Sequence, residues 1–265
     1  MHVADRLTAK AGFGKSVGVS GQTISRKQDV RIAGALAGIA VSASKFGNDL
    51  RLLQHLGEVE EPFNKHQIGS SAMPYKRNPM RCERICAIGR FVLAAAQNPG
   101  YTAATQWLER TLDDSANRRL ALPEIFLAID GILQLVVDVA RGLVVWPAVI
   151  DRNLRRELPF LATESLLMEA VKGGGDRQEL HERIRVHARA AADRLKEGAP
   201  DNDLFARLRA DEAFAAVSHL IADDVDARRF VGRAPEQVEE FLAAEVDPVL
   251  ADRVELIGDA AEVNV

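Results

Sequence analysis

Between Gln67 and Pro79 the chain reads QIGSSAMPYKRNP, and its side chains suit one kind of chemistry. A serine hydroxyl takes a proton when its alkoxide is stabilised, and Ser70 and Ser71 supply two hydroxyls. Lys76 supplies a cation and Asn78 a hydrogen-bond donor, and both stabilise an adjacent anion. A proton alpha to a carboxylate is very weakly acidic, and its removal builds a dianionic aci-carboxylate. A cation held on that carboxylate matters more than an intrinsically strong base. Gly69 permits unusual backbone angles, while Pro74 and Pro79 forbid a continuous helix. The segment therefore reads as a polar loop tethered to rigid rods. The plainer alternative is a connector with incidental polar residues.

The elements around the loop read as long helices. From Asp29 to Leu56 apolar residues recur at Ile32, Leu36, Ile39, Ala43, Phe46, Leu50 and Leu53, a heptad seam. A helix of that length packs in a bundle. A second helix is expected from Met80 to about Gln97. A third is expected from about Ala103 to Val144, kinked at Pro123 because proline removes a donor and crowds the preceding turn. The character changes at Trp146-Pro147. Beyond it, Asp176 and Glu179 form a capping box after Gly173-Gly174-Gly175, and Pro235 sits in the first turn of a last helix. Only SVGVSG alternates with period two, and only briefly. The expected fold is all-α: a long-helix bundle over residues 1–146 carrying the loop 67–79, then a smaller helical domain over 147–265.

Composition narrows the classes. With 265 residues, 47% hydrophobic, 27% charged and a net charge of −4, the chain is not disordered, and its charge gives no sign of a nucleic-acid partner. The two cysteines, Cys82 and Cys86, share a helix face. No C-x-x-C or H-E-x-x-H pattern completes a metal site, so no metal or cofactor is expected. The most apolar run, GILQLVVDVARGLVV, is interrupted by Gln134, Asp138 and Arg141, too polar for a lipid-exposed span. No targeting segment is visible, so a cytoplasmic location without membrane partners is expected.

The run GSSAMPYKRNP resembles the signature of the fumarase/aspartase superfamily of β-elimination enzymes, whose fold is a long-helix bundle. Within it, GQTISRK (21–27), NPMRCERI (78–85), QWLERTLDDSANRR (106–119) and ELPFLATE (157–164) are similar to the adenylosuccinate lyase family. That resemblance implies cleavage of adenylosuccinate to AMP and fumarate, and of the related succinyl-aminoimidazole carboxamide ribotide to AICAR and fumarate. It implies Ser70 as the base taking the Cβ proton, with Ser71 supporting it. Lys76 and Asn78 would hold the succinyl carboxylates. Gln22 and Arg84 would bind substrate, and Arg110, Ser115 and Arg119 the nucleotide and its phosphate. Ser115 and Arg119, four apart, also share a helix face that suits phosphate oxygens, and Arg118 is left structural.

The resemblance further implies a homotetramer whose active sites draw on three subunits. Members of the family are much longer. The N-terminal domain and the histidine that protonates the leaving nitrogen are not found in this chain, so little activity is expected from it alone. His55 and His66 flank the loop without matching that histidine's position, and His181 and His187 read as structural. Argininosuccinate lyase and fumarase share the loop, but not ERTLDDSANRR. A non-catalytic oligomerisation module is the remaining alternative. AKAGFGKS (9–16) approaches a P-loop, with Ala9 in place of the first glycine, but a P-loop needs a strand before it and a helix after it.

Overall fold

The computed structural model describes residues 3–63, 73, 75–221 and 225–257. They fall into two compact units, divided between Val145 and Trp146. The fold is all-α. Among the described residues the strands are β1 (Val59–Glu60) and β2 (Val144–Val145), paired antiparallel with Val59 opposite Val145. Nothing in the sequence pattern announces two-residue strands.

The first unit opens with α1 (Val3–Lys10), followed by an irregular stretch up to α2 (Lys27–His55). A helix therefore precedes the P-loop-like segment and none opens after it. That is the wrong context for a phosphate cradle. The brief alternation SVGVSG forms no strand.

The core of this unit is α2 packed with α3 (Met80–Ala95) and α5 (Asp114–Gly142), with the short α4 (Asn98–Ala104) beside them. Direction follows from the contacts. Gly47 faces Cys82 and Cys86, and Gly89 faces Ala40 and Ser44, so α3 runs antiparallel to α2. Arg26 pairs with Asp114 and Asp29 with Arg118, so α5 runs parallel to α2.

The seam on α2 differs from the expected one. Asp29, Ala33, Ala40, Ala43, Gly47 and Leu50 are buried. Ala43 and Leu50 belong to the heptad reading, but Ile32, Ile39 and Phe46 give way to the next residue along, Ala33, Ala40 and Gly47. The reason is backbone proximity. A Cβ on Gly47 would lie 3.1 Å from the Cys82 carbonyl and from Cys86 Sγ, and one on Gly89 would lie 2.2 Å from Ser44 Oγ. Two helices this close exclude large residues from the contact line. The larger residues flank it half-buried, and Ile39 is exposed. The same contact seals both cysteines. Cys82 is fully buried, and burial, followed by the Glu61 carboxylate, pushes its thiol pKa up to about 12.

The third expected helix is two. α4 ends at Ala104, and α5 begins only at Asp114. In the connection Leu108 takes φ 43°, left-handed backbone that no helix accommodates. The Gln106 amide spans this turn, donating to the Thr102 carbonyl at 3.3 Å and accepting from the Thr111 N–H at 3.3 Å. α5 runs through Pro123 without a break.

The second unit comprises α6 (Pro147–Leu161), α7 (Thr163–Lys172), α8 (Arg177–Lys196), α9 (Leu204–Ala210), α10 (Ala234–Phe241) and α11 (Asp247–Ala251). Its core gathers Leu166, Leu180, Ile184, Leu204, Leu208 and Phe214. Asp176 caps α8, accepting from the Gln178 and Glu179 N–H groups at 2.9 Å. The Glu179 carboxylate pairs with Arg183 at 3.1 Å. Pro235 stands in the first turn of α10, as its fixed φ favours. α10 continues through a π turn, Leu242–Val246, into α11.

Candidate functional site

The motif residues of the first unit stand at two ends of α2. At its C-terminal end lie the described parts of the loop. Ser70 and Ser71 lie outside the described residues. Lys76 is exposed, its N–H donating to the Met73 carbonyl at 3.0 Å. Asn78 is half-buried, and its carbonyl accepts from the Met80 N–H at 2.8 Å. Asn78 also lines a cavity of about 650 Å³ with Asn48, Arg51, His55, Arg77 and Glu83. Its cationic wall suits a carboxylate. His55, set aside in the sequence reading, lines this cavity. Arg84 is exposed on the second turn of α3, next to the cavity-lining Glu83 but not itself part of the lining.

The base of the loop holds residues that sequence reading missed. The Glu61 carboxylate accepts from the N–H groups of Arg81 at 2.9 Å and Cys82 at 3.0 Å, so it caps α3 from a distant point in the chain. Arg81, only 1% exposed, donates to Asp138 on α5 at 2.6 Å and to the Pro62 carbonyl at 2.5 Å. In KRNPMRCER these arginines look alike, and no local signal separates the buried one from its neighbours.

At the N-terminal end of α2, two segments distant in sequence meet. A Cβ on Gly21 would lie 3.2 Å from Glu109 Oε1, so GQTISRK lies against QWLERTLDDSANRR. Arg26 Nε donates to Asp114 at 2.5 Å, and Asp114 is wholly buried. Arg118 grips the Asp29 carboxylate with Nε and with Nη2, the latter at 3.1 Å. The hydrogen bond that Arg118 donates to Asp29, against the opposing effect of burial, raises the Arg118 pKa. Arg118 is thus tied to α2, not to the neighbouring Asp113.

Arg119 points elsewhere. It is exposed, and its Nη1 donates to the Ser115 carbonyl at 3.0 Å and to the Ser115 hydroxyl. Gln22 is exposed on the adjoining segment. Arg110 is half-buried with Nη2 4.0 Å from Asp114, and its Nε is buried without a hydrogen-bond partner among the described residues. Gln22, Arg110, Ser115 and Arg119 are therefore gathered at one end, and Lys76, Asn78 and Arg84 at the other. The 29 residues of α2, Lys27–His55, put about 40 Å between them.

Comparison with known proteins gives the following. A family model described as adenylosuccinate lyase C-terminus matches residues 159–241, and one described as lyase matches residues 3–93. The chain is 48% identical over 246 residues to adenylosuccinate lyase of Saccharomyces cerevisiae, covering 93% of this chain and 51% of that protein. It is 48% identical over 245 residues to adenylosuccinate lyase of Schistosoma mansoni, covering 92% and 51%. It is 34% identical over 233 residues to adenylosuccinate lyase of Pyrococcus abyssi, covering 86% and 50%. The chain thus spans about half the length of the curated relatives it matches. Among solved structures, 3-carboxy-cis,cis-muconate lactonizing enzyme from Pseudomonas putida superposes with TM-score 0.72 at 23% identity, covering 91% of this chain and 52% of that one. A fumarate lyase from Mesorhizobium sp. BNC1 does so with TM-score 0.66 at 24% identity, covering 83% and 48%. These last two are likenesses of fold.

Proposed function

We propose, since this chain belongs to the adenylosuccinate lyase family, that it supplies two parts of an active site that eliminates fumarate from adenylosuccinate and from succinyl-aminoimidazole carboxamide ribotide. Ser70 takes the Cβ proton. The electron pair left behind forms the carbon–carbon double bond as the C–N bond breaks, and the departing nitrogen takes a proton from a general acid. Lys76 and Asn78 hold the succinyl carboxylate on which negative charge builds before that bond breaks. Arg119 and Ser115 receive the nucleotide phosphate, with Gln22, Arg84 and Arg110 completing the substrate contacts and Ser71 supporting Ser70. Both products, AMP and AICAR, carry the phosphate for which the exposed Arg119 fork is suited.

One observation carries the reading. The two groups of motif residues stand at opposite ends of α2, about 40 Å apart, far beyond the reach of a single succinyl nucleotide. Each site is then built from different copies of the chain, in a homo-oligomer. The exposed apolar residues of α5, Leu120, Phe126, Leu127 and Leu133, support such an assembly. α2 and α5 have the length and hydropathy of membrane-crossing helices. Their ion pairs through Asp29, Asp114 and Asp138 favour a bundle in water instead, and we place the protein in the cytoplasm.

The test is the fall in ultraviolet absorbance of adenylosuccinate, read on this chain alone and on this chain co-expressed with the remaining half of a curated relative. Turnover by the combined assembly, at least tenfold above either part, is expected. No turnover in the combined assembly sinks the proposal. Preference for argininosuccinate or malate as substrate replaces it with a rival lyase.

A further inference from the structure

We propose that Arg81 is a positioning residue: by joining both stems of the loop to α5, it sets where Lys76 and Asn78 stand. The inference rests on the reading above for the roles of those two residues, and on side-chain geometry for the rest.

Removing a guanidinium from water is strongly unfavourable unless acceptors meet its donors. Arg81 is among the largest fully buried side chains of the chain. Among the described residues, acceptors reach it from two separate places. Pro62 O, at 2.5 Å, belongs to the stem entering the loop, and Asp138 Oδ2, at 2.6 Å, belongs to α5. The backbone adds to the side-chain bond, because Glu61 on the entering stem accepts from the N–H groups of Arg81 and Cys82 on the leaving stem. The two stems are therefore joined by side-chain and backbone donors of the leaving stem alike, and Asp138 fastens the pair to a long helix.

A second tie lies four residues earlier. Arg77 pairs with Glu60 at 2.7 Å, and its guanidinium stands 5.3 Å from the centre of the Phe63 ring. Gln54 on α2 donates to the Arg77 carbonyl at 3.1 Å and accepts from the Glu61 N–H at 3.2 Å. Asn78 lies between the two ties and Lys76 directly before the outer one. The short spacer between Arg77 and Arg81 leaves Asn78 little room to wander. Gly142 permits the approach on the α5 side, since a Cβ there would lie 2.5 Å from Pro62 Cβ. An apolar residue at position 81 fills the space without orienting anything, and a lysine lacks the planar fork.

The test uses Arg81→Lys, with Asp138→Asn as a milder change that retains an acceptor. Hydrogen exchange is followed by mass spectrometry on this chain. Peptides covering 75–82 are expected to exchange about tenfold faster in both variants, while peptides of the middle of α2 and of α8 stay unchanged. In the co-expressed assembly kcat is expected to fall about 100-fold with KM within about threefold, because displaced groups miss the transition state more than the bound nucleotide. Unchanged exchange at 75–82, or equal acceleration everywhere, overturns the proposal. So does an unaltered kcat where exchange at 75–82 has risen. If Arg81→Lys fails to fold, Asp138→Asn decides by the same criteria. Absence of turnover by the unsubstituted assembly is the separate signature of a wrong lyase reading, and the exchange measurement then decides the positioning claim.

Discussion

Two adjacent arginines at the start of α5 have opposite fates. Arg118 is spent on Asp29, a carboxylate only 4% exposed, while Arg119 keeps an exposed fork beside Ser115. Arg118→Ala is expected to cost about 2–3 kcal/mol in denaturant unfolding, because it strands a buried carboxylate. Arg119→Ala is expected to leave the unfolding midpoint unchanged and to weaken AMP binding by about tenfold or more, the worth of a charge-assisted hydrogen bond. Reversal of that pattern in paired unfolding and calorimetric titrations refutes the assignment.

The second unit offers a pH test at the same scale. Burial acts to raise the Asp211 pKa, but the His187 hydrogen bond, the Ala213 N–H and Arg183 outweigh it and leave it lowered. A lowered carboxylate contributes stability that is complete above its unfolded value near 3.8 and is lost as pH falls through its folded value. Asp211→Asn is expected to flatten the acid limb of the unfolding curve below about pH 4 and to lower stability at neutral pH. An acid limb of unaltered slope counts against it.

At the scale of elements, the contact between α2 and α3 depends on the absence of side chains. Ser44 Oγ is buried without a partner among the described residues, and it stands where a Cβ on Gly89 would go. Gly89→Ala alone is expected to destabilise by about 1–3 kcal/mol. Ser44→Ala alone is expected to be neutral or mildly stabilising, since it removes an unsatisfied hydroxyl. The double variant should recover most of the loss, a coupling that a thermal double-mutant cycle measures directly. Strict additivity contradicts the packing described.

The same contact shows what the sequence could and could not disclose. The rod α2 was legible from its period, because amphipathic helices repeat apolar residues every three or four positions. Its true contact line was not, because closeness of two backbones is decided by the partner helix. Ser115 and Arg119 were legible as neighbours four apart. The pairs Arg26–Asp114 and Asp29–Arg118 join residues nearly ninety positions apart, and no local pattern encodes them. The break before Asp114 was missed because it rests on one left-handed leucine and the Gln106 side chain.

At the scale of the molecule, the 40 Å between the two motif groups has a genetic signature. A chain carrying Lys76→Ala spoils the loop end only, and one carrying Arg119→Ala spoils the phosphate end only. Each variant alone is expected to be nearly inactive in the co-expressed assembly. Mixed in equal amounts and allowed to exchange subunits, they should regain activity, with about a quarter of the sites intact by random pairing. Failure to recover any activity after proven subunit exchange would show that both groups serve one site within a single copy.

The glycine-lined seam that hides Cys82 and Cys86 also turns them into a native clock. A thiolate is the species that alkylating reagents trap, and a thiol held near pKa 12 inside a helix contact presents almost none at pH 8. Every labelling event at Cys82 then registers a moment when α2 and α3 have parted. The rate of alkylation, followed without any engineered chromophore, should report the breathing of the bundle and slow as subunits associate.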